Sequence, residues 1–125
     1  MPQGSTTFHE SEEHLSPRTR DMHRALVSLM EELEAVDWYQ QRMDATEDSE
    51  LREILRHNRD EEKEHAAMVL EWIRRHDDQF SSKLKTYLFT EGSITAIEDK
   101  VEKGNGNGTR SGTRSSIGSL RGGSR

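Results

Sequence analysis

The sequence predicts an all-α chain built on one long antiparallel helical hairpin. Three observations carry this expectation. Two long segments run without an interrupting Gly or Pro, their apolar residues recur at spacings of three and four, and no stretch alternates with the period of two that a half-buried strand requires. The elements follow in chain order.

Residues 1–15 carry no helical pattern and read as a flexible N-terminus. Ser16-Pro17 opens the first helix. Ser is a favoured cap, and Pro is preorganised for the first helical position, where its missing N–H costs nothing. From there to about Ala45, Leu26, Leu29, Leu33, Val36 and Met43 form one stripe, and Ala25, Leu29, Glu32, Val36, Tyr39 and Met43 a second. A carboxylate, Glu32, therefore lies inside an apolar seam.

The polar stretch Asp44 to Ser49 supplies a turn and a new cap at Asp48 or Ser49. A second helix then runs from about Glu50 to Arg75, with the stripe Leu51, Leu55, Asn58, Glu62, His65, Val69 and Trp72. So short a connection makes the two helices antiparallel. Leu84, Tyr87 and Leu88, then Ile94, Ile97 and Val101 beyond Gly92, predict one or two short helices.

Residues 16–103 thus form the predicted helical domain. Residues 104–125 read as a flexible linker and tail, because seven of the nine glycines fall there with too little apolar area to fold.

Composition makes a self-sufficient core improbable. The 125 residues are 30% hydrophobic and 34% charged, with a mean hydropathy of −1.02, against roughly 45–50% apolar in an ordinary domain. Burial against another copy is the alternative to disorder. Absence of cysteine excludes disulfides, thiolate nucleophiles, iron–sulfur clusters and CxxC zinc sites. The first 103 residues carry 14 basic and 24 acidic side chains, a net of −10, whereas the tail holds four arginines and no acid. Such a body repels nucleic acid and attracts cations. With no basic start before an apolar run and no apolar stretch of membrane-spanning length, the chain is expected to be soluble and cytoplasmic.

Glu62-Lys63-Glu64-His65 contains E-x-x-H, a spacing that puts a carboxylate and an imidazole on one helical face within reach of one metal ion. By itself the motif is common. Its position in the seam is what gives it weight, since charged groups are rarely buried unless paired or metal-bound. About a turn centred on Glu47, Glu32 lies 15 residues before and Glu62 15 after, so an antiparallel hairpin brings them level. One Glu facing one E-x-x-H is half of a carboxylate-bridged di-metal site, and a second copy about a two-fold axis would complete both the site and a four-helix bundle. Iron suits such a donor set, and manganese or zinc would also fit.

MEELEAVDWY (Met30 to Tyr39), HNRDEEKEHAAM (His57 to Met68) and TYLFTEGSITAIE (Thr86 to Glu98) resemble the encapsulated ferritins, ferritin-like cargo of encapsulin nanocompartments. The resemblance covers about residues 20 to 103. It implies a ferritin-like fold, a ferroxidase activity oxidising Fe(II) to Fe(III) with oxygen as acceptor, and two irons per dimer interface. It further implies a ring-shaped homodecamer built from dimers. By motif position Glu32, Glu62 and His65 would be the ligands and Tyr39 their supporting partner. Glu31 and Glu34, with Trp38, would line the path of incoming metal, and His57, Glu61 and Glu64 would form a peripheral metal site. The tail segment Ser116 to Gly122 resembles the peptide by which cargo docks inside the encapsulin shell, through Ile117, Gly118 and Leu120. The protein would then reside in a nanocompartment in the cytoplasm.

Two rival functions fit the same residues. One is a non-catalytic helical interaction module that binds cations. The other is a different di-iron activity, against which stand the single seam histidine per chain, too few for a hemerythrin-like carrier, and the missing cysteines of a rubrerythrin-like donor.

Overall fold

The computed structural model describes residues 6–107, so the docking residues Ile117, Gly118 and Leu120 lie outside the described residues. The described residues are helical throughout their regular structure, with no strand. The chain divides into two compact units at Ile73/Arg74.

In the first unit, helix α1 spans Pro17–Ala45 and α2 spans Ser49–His76, its last turn falling in the second unit. The Ser16 hydroxyl accepts from the Thr19 backbone N–H at 3.0 Å, with Pro17 in the first turn, as the sequence predicts. At the turn, the Asp48 carboxylate accepts from the Leu51 N–H at 2.8 Å and so caps α2. Arg52 donates through Nε to the Met43 carbonyl at 3.2 Å, and its guanidinium also bonds the Thr46 carbonyl. These carbonyls belong to the end of α1, where a helix leaves acceptors without partners of its own.

Contacts across the hairpin pair Arg52 with Met43, Arg59 with Gln40 and His65 with Glu32. One number rises as the other falls, which defines the antiparallel hairpin. Met43, Leu55, Ala66 and Ile73 are buried. This core is thin for helices of 29 and 28 residues, in keeping with the low apolar fraction of the chain.

The segment before α1, expected to be flexible, carries a 3-10 turn at Glu12–His14. Arg20 donates to the carbonyls of Glu12 and Leu15, and the Phe8 and His23 rings lie 4.6 Å apart. A single arginine reaching back from α1 supplies acceptor-matched contacts that periodicity does not register.

In the second unit, Asp77 caps α3 (Asp78–Tyr87) by accepting from the Phe80 N–H at 2.8 Å, and Arg74 donates to the Ser81 hydroxyl at 3.1 Å. The connection to α4 (Ile94–Asn107) contains Gly92 at φ 88°, where a side chain would be strained. Phe89, at φ 62° and fully exposed, takes a similar left-handed conformation without that freedom. Two short helices stand where the sequence predicts one or two. Helix α4 runs past Lys103 to Asn107, beyond the boundary expected at Gly104. A helical glycine costs only about 1 kcal/mol relative to alanine and, unlike proline, breaks no backbone hydrogen bond.

Candidate metal centre

Glu32 on α1 and Glu62 and His65 on α2 converge so that one ligand atom from each lies within 4.8 Å of the others. The Nδ1 of His65 is 3.2 Å from a Glu62 carboxylate oxygen and 3.7 Å from one of Glu32. The two glutamates are largely enclosed, with side-chain exposures of 25% and 23%, and His65 is half exposed. Thus the hairpin register reasoned from the turn brings the three seam residues together.

Two carboxylates at this separation compete for charge. The Glu32 carboxyl is held above the usual carboxylate range, first by its hydrogen bond with Glu62 and then by burial. Glu62 is drawn below that range, chiefly by the same hydrogen bond and also by His65. The His65 ring is pushed up, mainly through its hydrogen bond to Glu62, with the Glu32 charge adding to the effect. The trio therefore holds protons where a cation could replace them. Its mixed oxygen and nitrogen donors fit iron, manganese or zinc, and three protein atoms leave coordination positions open.

The burial pattern shows why the centre opens on one side. Along α2, Leu55, Ala66 and Ile73 are buried, and Glu62 falls in their row. A neighbouring row at spacings of three and four contains Leu51, Ile54, His65, Met68 and Trp72, all exposed. The sequence reading merges the two rows into one stripe, because Leu51, His65 and Trp72 fit its spacings of three and four, although His65 and Trp72 lie about 80–100° around the helix from the inner row. Glu62 faces inward and His65 outward, so the centre straddles the edge of the hairpin. Beside it, Met68, Val69 and Trp72 line an open groove of about 470 Å³ with Ala25 and Ser28.

Tyr39 lies two turns beyond Glu32 on α1. The Arg42 guanidinium sits 5.4 Å from its ring centre and 5.7 Å from that of Trp38, which bridges the two aromatics. Glu31, Glu34 and Trp38 recur at spacings of three and four on one side of α1, with Glu31 and Trp38 exposed. His57 and Glu61 pair at 3.5 Å one turn apart. Among the described residues, the three-ligand cluster is Glu32, Glu62 and His65; neither Glu31 and Glu34 nor His57, Glu61 and Glu64 form another. Sequence reasoning misses Arg42 and the Arg59–Gln40 contact, since a charged residue on a charged helix carries no distinguishing signal.

Comparison with known proteins bears on what this centre is. The EncFtn-like family model matches residues 7–91. The chain belongs to the EncFtn-like family. An encapsulated ferritin-like protein of Rhodospirillum rubrum is 61% identical over 108 residues, covering 86% of this chain and 77% of that one. An encapsulin nanocompartment cargo protein of Myxococcus xanthus is 33% identical over 85 residues, covering 68% and 65%. Among solved structures, protein ne0167 of Nitrosomonas europaea superposes with a TM-score of 0.68 at 63% identity, over 70% of this chain and 96% of that one. The EncFtn-like match spans α1, α2 and α3, and so includes Glu32, Glu62 and His65. No helix among the described residues is long and apolar enough to cross a membrane.

Proposed function

We propose that the protein is a ferroxidase whose di-iron centre forms when two hairpins pair, and that it works as cargo of an encapsulin compartment. The observation that carries this reading is the convergence of Glu32, Glu62 and His65. A two-fold axis beside His65 would gather four carboxylates and two imidazoles, a donor set for two metal ions. Glu32, Glu62 and His65 would hold the iron, which would supply the redox chemistry, Fe(II) being oxidised to Fe(III) with oxygen as electron acceptor.

The chain's own residues prepare that step. Glu32 and Glu62 exchange their shared proton for metal charge, and their enclosure strengthens the attraction. His65, held by Glu62, presents a ring nitrogen rather than leaving it to solvent. Tyr39, pinned by Arg42, packs the end of the site nearer the turn. Glu31 and Glu34 beside Trp38 concentrate cations on the approach, and the His57–Glu61 pair, with Glu64 nearby in sequence, serves as a weaker peripheral site.

Pairing itself is supported by the exposed row on α2. Ile54 and Met68 are 53% and 63% exposed on a hairpin with few buried residues, and a row of period 3.5 is what a partner helix would cover. The dimers assemble further into a ring-shaped homodecamer. The tail, through Ile117, Gly118 and Leu120, docks in the shell, and this is supported by the encapsulin-related names of the R. rubrum and M. xanthus relatives.

Iron oxidation and native mass, measured for the parent and for Glu32→Ala, Glu62→Ala and His65→Ala, test the reading. Oxidation should fall by roughly tenfold or more in each variant. Parent-like rates in all three would remove the site assignment. Truncation after Lys103 should abolish packaging on co-expression with encapsulin.

A further inference from the structure

The metal centre lies about 22 Å from the hairpin turn, at about 1.5 Å of rise for each of the 15 residues between. A helix pair hinged at its turn diverges with distance. A pivot of about 5° there would move Glu32 relative to His65 by on the order of 2 Å, whereas a working site tolerates about 0.5 Å. The short turn and the Arg52 contacts with Met43 and Thr46 fix one point of the hairpin. A second fixed point is needed between the turn and the site.

Arg59 supplies it. Its side chain is 17% exposed, and its Nη1 donates across the hairpin to the side-chain amide oxygen Oε1 of Gln40 at 2.6 Å. Both partners are oriented before they meet. Asp60 accepts from Nε and Nη2 of Arg59 at 3.0 and 2.8 Å, and Gln40 donates its own amide to Asp44 at 3.0 Å. Four residues thus form one chain of hydrogen bonds from α2 to α1, with an arginine whose rigid fork suits such a clip.

We propose that Arg59 and Gln40 are positioning residues that lock the register of α1 against α2, so that Glu32 meets Glu62 and His65 before any metal arrives. The inference rests on the metal-centre reading for its purpose, but not for its geometry. It predicts that breaking the clip loosens the site while leaving the helices intact.

Two measurements decide it. In the full chain, Co(II) affinity and its visible spectrum are compared for the parent, Gln40→Leu, Arg59→Leu and Gln40→Glu. The leucine variants should bind Co(II) roughly tenfold more weakly with an altered spectrum, and Gln40→Glu, which still accepts from Arg59, should stay close to the parent. Separately, because the chain has no cysteine, Glu32→Cys with His65→Cys gives a metal-free ruler. The rate of intrachain crosslinking by a short bifunctional thiol reagent should fall when Gln40→Leu is added. Should Arg59→Leu fail to fold, Gln40→Leu at an exposed position still decides. Unchanged crosslinking and unchanged Co(II) binding in Gln40→Leu would overturn the proposal. Failure of the metal-centre reading would appear differently, as Co(II) binding in the parent that Glu62→Ala does not weaken, with the crosslinking result still standing.

Discussion

The two rows of α2 differ in what surrounds them rather than in what they are made of. The inner row places Leu55, Ala66 and Ile73 at 9%, 8% and 0% exposure, while the outer row leaves Ile54 and Met68 more than half exposed. Both are apolar, and both recur at helical spacing. A single hairpin can bury only one of them, so the second is either wasted or shared. Glu62 and His65 fall on opposite sides of that division, so under the proposed function the metal centre would lie where the hairpin ends and a partner would begin.

Breaking the outer row should have the largest effect. Ile54→Asp with Met68→Asp introduces charge on both exposed positions, and we expect native mass to collapse to the single chain and iron oxidation to be lost while helix content persists. Retained assembly would mean that this row faces solvent throughout. Truncating the inner row instead attacks the hairpin itself. Leu55→Ala should cost about 2–4 kcal/mol of unfolding free energy, whereas Met68→Ala should change the separated chain by less than about 0.5 kcal/mol and show itself as weaker dimerisation. Denaturant unfolding at several protein concentrations separates these outcomes.

A change of pH sharpens the contrast at the boundary between the rows. The carboxylates beside His65 stabilise its protonated ring and raise its pKa above the ordinary value near 6.5. That contribution is fully present below the ordinary value and is lost as pH rises through the higher folded one. Metal reverses the sign, since it competes with the same proton. Melting measured between about pH 6 and 8 should therefore show the chelated protein losing a little stability with rising pH, and the Mn(II)-loaded protein gaining it. Parallel curves would count against His65 as a ligand. The smallest effect lies far from both rows. Ser16→Ala removes the hydroxyl that accepts from Thr19 and should cost about 1 kcal/mol in thermal unfolding, with no change in assembly.

Much of this was legible in the residues. Ser16-Pro17 marks the start of α1, Asp48 caps α2, and the break at Gly92 separates α3 from α4, because capping and turn chemistry are local. The level pairing of Glu32 with Glu62 was legible too, as a short turn leaves an antiparallel hairpin little choice of register. Local chemistry does not say which of two adjacent apolar rows faces inward. Nor does it show that Arg59 reaches Gln40, 19 residues away along the chain, or that Arg20 draws the 3-10 turn back onto α1. Each depends on where a second element stands.

The sequence alone thus determined the two long helices, the caps that open them, the hairpin and the three seam residues that converge, all of which follow from spacing along one chain. Tertiary structure decided which row of α2 is buried, how far the centre opens and which cross-hairpin contacts hold it. Those depend on rotation about a helix axis, and a single residue of periodicity, about 100° of turn, is too coarse to settle a division between neighbouring rows.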